Sequence, residues 1–311
     1  MADDLPQAGH SRLAVALREA LAGQATLAPL WHLLRSAERQ RQLGFGVHFA
    51  GLCDGAPFDL LLTRGGAAAE QVCATVSAEA GRDVQRAAWL ALVDGLEPEL
   101  RDWLGAHRGC HLLRLTLPHG LHDTGAATPA RLRPRIIDLL RRGGRHDSDA
   151  SAVMRLDSMP VCSALPREAQ TLASLRQEFG PEAQLAVIAG SNGMLGIAAR
   201  AGRSDGIAAA MRCRMTALAP CLTGTRPGIL AVLLEDAGPA VWRSLSDGLE
   251  LEAEARKFLT TPEARQVVAV SCTARIGLLC PSESGGELRF RNPAHPAAGS
   301  PALAPAVLSS L

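Results

Sequence analysis

The chain has 311 residues, 47% of them apolar and 20% charged, with a formal net charge of +1. Such values exclude a disordered chain, and they leave no global field that would steer the protein toward nucleic acid or an anionic bilayer. The length suits two domains, each with enough interior to fold alone.

Tyr is absent and aromatics make up 3% of the chain, so stacking platforms for single-stranded nucleic acid are poorly supplied. All but one of the 32 basic residues are Arg, as expected of a GC-rich bacterial gene, and the exception, Lys257, leaves no lysine for any site before it. The eight cysteines are scattered singly with no C-x-x-C, which reads as buried reduced thiols. Residues 1–7 are acidic and polar without a cationic lead into an apolar core, and no apolar run approaches the roughly 20 residues that span a bilayer. The expectation is a cytoplasmic protein with no membrane span.

In chain order, His10 to Ala22 has helical spacing with Ser11 as its cap. A second helix spans Leu27 to Leu43, with Leu30, Trp31, Leu33 and Leu34 as its apolar face. Phe45 to Leu52 alternates as a short strand. Phe58 to Leu62 and Glu70 to Val76 form a hairpin about Gly65-Gly66. A helix from Arg82 to Leu104 follows, with Pro98 as a kink or a new start, and then a strand from Cys110 to Leu117. Residues 118–152 break into His, Gly, Thr, Pro, Arg and Asp around Ile136 to Leu140, and read as an Arg-rich linker. Beyond it the pattern predicts a strand at Val153 to Val161, a helix at Pro166 to Phe179 and a hairpin of Gln184 to Ala189 with Met194 to Ala199. A helix at Asp205 to Leu218, a buried strand at Gly228 to Leu234, a helix over Pro239 to Leu259 and a strand at Gln266 to Cys272 complete the second half. Residues 281–311 read as a loose tail with at most one strand near Glu287 to Arg291.

The predicted fold class is α/β: two domains with mixed central sheets flanked by helices, at 1–117 and 153–280. Gly81-Arg82 and Gly202-Arg203 occupy similar places in the two halves, the mark of a degenerate duplication.

The order helix, three strands, helix, strand, with Asp59 at the first hairpin strand and Glu70-Gln71-Val72-Cys73-Ala74-Thr75 on the next, resembles the PD-(D/E)xK restriction-endonuclease-like family. The resemblance covers Leu27 to Leu117. It implies a divalent metal, Mg2+, held by the first-strand Asp and an acid on the next strand, with a lysine two positions later that activates water. Asp59 matches the first acid. One register puts Val72 and Ala74 at the acid and lysine positions; a second puts Glu70 and Val72 there. Neither restores the motif, so the resemblance implies a non-catalytic relative. An active enzyme would use Asp59 and Glu70, with Glu79 or Asp83 as further ligands.

Arg82 and Arg86, four apart, would share a helix face able to meet phosphates, and Arg131, Arg133, Arg135, Arg141 and Arg142 concentrate charge in the linker. His107, Cys110, His111, His119, His122 and Asp123 invite a zinc reading without a fixed tetrahedral spacing, so no metal site is assigned. Gly190-Ser191-Asn192-Gly193 is a turn rather than a nucleophile elbow, and no nucleotide-binding glycine motif is present. The reading is a binding, regulatory or scaffold protein without a cofactor, and with a protein partner. The alternatives are a Mg2+-dependent nuclease with a migrated catalytic residue and a nucleic-acid-binding module without chemistry.

Overall fold

The computed structural model describes residues 5–125, 127–159, 168–204, 206–275 and 286–309. The chain opens with α1 (Gln7–Leu21), α2 (Ala28–Gln42), β1 (Gly46–His48), α3 (Ala50–Asp54), β2 (Leu60–Arg64) and β3 (Ala67–Ser77). It continues through α4 (Arg86–Ala106), β4 (Gly109–Leu117), α5 (Pro129–Arg141), β5 (His146–Ser148), β6 (Val153–Met159), α6 (Glu168–Phe179), β7 (Gln184–Ala189) and β8 (Gly193–Ala201). Then come α7 (Ile207–Leu218), β9 (Gly228–Glu235), α8 (Pro239–Asp247), α9 (Glu250–Leu259), β10 (Val267–Ala274), β11 (Glu287–Arg291) and α10 (Ala304–Val307).

The fold is α/β with two mixed sheets flanked by helices. Contacts divide the chain into a unit made of Met1–Ala80 with Ile207–Leu311, and a unit made of Gly81–Gly206. The second is therefore inserted within the first, which a partition at residues 117 and 153 does not capture. Gly81-Arg82 and Gly202-Arg203 lie near the two ends of one insert rather than at equivalent points of two halves.

Among the described residues the first unit carries a six-stranded sheet in the order β1-β2-β3-β9-β10-β11. β1, β2 and β3 are an antiparallel meander, β3, β9 and β10 run parallel, and β11 closes the edge antiparallel to β10. The hairpin turns on Gly65 and Gly66, both left-handed at φ 53° and 77°, as a two-residue turn between twisted strands requires. β9 is buried along nearly its whole length because both faces of the sheet are covered. Leu230, Val232 and Leu234 pack with Met211 and Met215 of α7, Trp242 of α8 and Phe258 of α9. Ile229 and Val268 pack on the other side with Ala37 of α2 and Val307 of α10.

The last segment is thus structural over residues 286–309, where β11 pairs with β10 and Leu303, Ala306 and Val307 are buried; residues 281–285 and 310–311 lie outside the described residues. The single helix expected over Pro239 to Leu259 is two, since Leu249 adopts φ 56° between α8 and α9. Ser11 lies inside α1, its hydroxyl donating to the Gln7 carbonyl, and does not cap it.

In the second unit the strand order is β5-β6-β4-β8-β7, with β4 parallel to β8 and the other pairs antiparallel. Trp89, Leu92, Leu96, Leu100 and Leu104 of α4 recur at helical spacing and cover Leu113, Leu115 and Leu117 of β4 together with Leu132, Ile136 and Leu139 of α5. α4 runs through Pro98 without a break. Residues 118–152, expected as a linker, carry α5 and β5 and supply part of this core. The sequence signal was lost because Pro134 and the arginines sit on the exposed side of a short, strongly amphipathic helix.

Candidate functional site

In the first unit α2 lies across β3 and β9 with His32, Ser36 and Gln40, each one helical repeat of four from the next, along one stripe. Of the apolar face expected at Leu30, Trp31, Leu33 and Leu34, Leu33 and Leu34 pack partly buried against the core, whereas Trp31 is 64% exposed and the polar His32 and Gln40 are buried. Polar groups in such a position must find partners, because burial strips them of water. His32 Nε2 meets the Ala231 carbonyl at 3.0 Å, which fixes the proton on that nitrogen. Burial lowers the His32 pKa and keeps the ring neutral. Gln40 Nε2 donates to Gln71 Oε1 at 2.9 Å, Gln71 Nε2 donates to Cys73 Sγ at 3.4 Å, and Ser36 also bonds the thiol.

Asp59, just before β2, closes this group. Its Oδ2 accepts from the Cys73 backbone N–H at 2.7 Å, and its own N–H donates to the Gln71 carbonyl at 3.0 Å. Burial raises the Asp59 pKa against the pull of that backbone bond. Burial, reinforced by the Asp59 charge, pushes the Cys73 thiol up to about 12, so it is protonated and a poor nucleophile at neutral pH. The cluster therefore contains one carboxylate, two amides, a hydroxyl, a protonated thiol and a neutral imidazole. Gln40 Oε1 is a buried acceptor without a partner among the described residues.

Glu70 is not part of this group. It alternates on β3 with Gln71 and shares its side of the strand with Val72, Ala74 and Val76, which pack toward α7, α8 and α9. The residue is fully buried, and its two oxygens accept from Thr223 N–H at 2.8 Å and Thr223 Oγ1 at 2.5 Å, with Arg226 Nη1 at 3.4 Å. Glu70 also precedes Cys73, which holds the Asp59 carboxylate, by three residues, a rise of about 10 Å along an extended strand. Glu79 lies in a 3₁₀ turn at Ala78–Gly81, in the first unit, and Asp83 lies in the second. The Arg203 guanidinium forks onto both Asp83 oxygens at 2.5 and 2.8 Å and holds that carboxyl below its usual range. Among the described residues no group of three or more His, Cys, Asp or Glu is placed to hold a metal ion.

Three of the arginines expected at phosphate are held by carboxylates. α4 begins at Arg86, so Arg82 precedes the helix and shares no helical face with it. On α5, Arg133 meets Glu99 at 2.6 Å, Arg135 meets Asp147 and Asp149 at 2.7 Å each, and Arg142 meets Asp138 at 2.9 Å. Arg131 and Arg141 are exposed on the same helix. His107 stacks on the Trp103 ring with centroids 4.2 Å apart, and His111 meets the same ring edge-on at 4.9 Å.

The α2 stripe carried one sequence signal, the four-residue spacing of His32, Ser36 and Gln40, which adjacent Leu and Trp residues masked. Comparison of the chain with family models, curated proteins and solved structures gave no match. Among the described residues no helix is long and apolar enough to cross a membrane.

Proposed function

We propose that this protein is a non-catalytic binding protein, regulatory or scaffolding, built on a degenerate nuclease-like core. Support for the core comes from α2, β1, β2, β3, α7 and β9, which follow the order helix, three strands, helix, strand once the short α3 and the Gly81–Gly206 insert are set aside; the helix and strand first expected in those last two places, α4 and β4, belong to the insert. Placed against Asp59, the two β3 residues with the acid-x-lysine spacing are Gln71 and Cys73, a register different from both that the sequence offered. The amide brings no charge to a divalent ion, and the thiol, pushed up to about 12, offers no thiolate.

The observation that carries the proposal is that Asp59 is the sole carboxylate of the cluster and is engaged by the Cys73 backbone, whereas the neighbouring acid Glu70 is spent on Thr223. Support for a protein partner comes from apolar side chains crowding the α1–α2 connection: Leu21 is 82% exposed and Trp31 64%, with Leu17 and Leu27 exposed beside them in sequence. The test is affinity capture by the full chain with mass spectrometry, run beside a Leu21→Ser/Trp31→Ser variant. Partners retained by wild type and lost from the variant support the proposal. Identical partner sets for the two chains would remove this surface from it.

A further inference from the structure

Within the first unit, a cleft of about 730 Å3 lies between the end of α9 with the 3₁₀ turn Pro262–Gln266 on one side and the segment Arg291–Pro296 on the other. Arg256, Arg265 and Arg291 line it, and none of its lining residues is acidic. Arg256 is neutralised by Glu252, its Nε and Nη2 lying 2.6 Å from Oε1. Arg265 and Arg291 are exposed and have no carboxylate partner among the described residues. In a chain of net charge +1, two unpaired guanidiniums in one cleft are a local concentration of positive charge.

The walls are fixed before any ligand arrives. Asn292, 5% exposed, donates from Nδ2 to the Val267 carbonyl at 2.9 Å and accepts from Ala294 N–H at 3.1 Å, which pins the segment to the start of β10. His295 Nδ1 accepts from Ala297 N–H at 3.1 Å, and burial keeps the ring neutral, so its proton sits on Nε2 as a donor. Pro262, Pro293 and Pro296 stiffen both walls. A second cleft of about 790 Å3 adjoins it, sharing Arg265 and His295; the acidic Glu263 and Arg226, which meets Glu70, also line that one.

We propose that this cleft binds a compact anion of two or more linked phosphates, with Arg265 and Arg291 as its principal contacts. Guanidinium forks match phosphate oxygens, and the volume is that of a small-ligand site. The lining holds no Phe, Tyr or Trp on which a base could stack, so recognition rests on the phosphates and not on a nucleic-acid strand.

The test is isothermal titration calorimetry of the full chain with sodium tripolyphosphate, ATP and a 20-base-pair DNA duplex, at low and at physiological salt. Tripolyphosphate and ATP should bind with similar affinity, compete for one site, and each weaken by roughly tenfold in Arg265→Gln and in Arg291→Gln. An Arg243→Gln control, on α8 and outside both clefts, should bind as wild type. Melting curves of the three variants should match wild type, because the altered side chains are exposed. Failure of both small phosphates to bind, binding that Arg265→Gln and Arg291→Gln leave intact, or binding of the duplex alone would each overturn the proposal.

Discussion

Replacing Asp59 by Asn and, separately, by Ala separates a structural carboxylate from a functional one. The side chain holds the Cys73 N–H at 2.7 Å in a partly buried setting. Ala leaves that donor unpaired, at a cost of about 1–3 kcal/mol. Asn keeps an acceptor of the same shape and removes a charge that burial disfavours. The direction with pH follows from the raised Asp59 pKa. The folded protein holds this proton more tightly than the unfolded chain does. The contribution of Asp59 is therefore greatest below the unfolded value of 3.8 and is lost as pH rises through the folded value. Asn has no such loss, so Asp59→Asn should equal wild type in acid and be at least as stable at pH 7, while Asp59→Ala is less stable throughout. Urea unfolding between pH 4 and 7.5, with chelator and then with 10 mM Mg2+, measures all three. An Asp59→Asn variant more than about 1 kcal/mol below wild type at pH 7 would refute the reasoning. A stabilisation of wild type by Mg2+ that this variant lacks would refute it too, since either result means that the charge itself is in use.

Thr223→Val strips the hydroxyl from the fully buried Glu70 carboxylate and should cost about 1.5–3 kcal/mol in the same urea assay; a loss below 0.5 would show that Glu70 does not depend on it. Gly120 has φ 73°, and a Cβ there would stand 2.1 Å from the Asp83 carbonyl oxygen, so Gly120→Ala should destabilise the second unit on the order of 3 kcal/mol or more, read by loss of amide protection in 81–206. The double variant Gln71→Glu/Cys73→Lys places an acid and a lysine beside Asp59. At 10 mM Mg2+ and a Kd of about 1 mM, it should gain about 1.4 kcal/mol on adding the ion, while wild type gains nothing. An unresponsive double variant would count against the placement of Gln71 and Cys73.

Much of the architecture was legible because its signals are local. The Gly65-Gly66 turn, the all-apolar run of β9 and the helical spacing on α4 each specify an element without reference to the rest. What was missed depends on distant chain segments. The pairing of β3 with β9 joins residues some 160 positions apart, Glu70 opposite Gly228, and no local pattern marks an insert between them. α5 looked like a linker because its arginines meet carboxylates supplied by other elements, such as Glu99 and Asp147. Asp59 and Glu70, expected to act together, take different partners. Glu70, the visible acid on β3, faces the opposite side of the strand from Gln71 and is bound by Thr223, whereas Asp59 is bound by the Cys73 backbone N–H.

The proposed function implies the absence of a catalytic metal centre around Asp59. Its most direct test is incubation of supercoiled and single-stranded DNA with the purified full chain, in Mg2+ and in Mn2+, beside Asp59→Ala. Wild type should show no metal-dependent cleavage above the Asp59→Ala control. Cleavage that requires the divalent ion and disappears in Asp59→Ala would contradict the account.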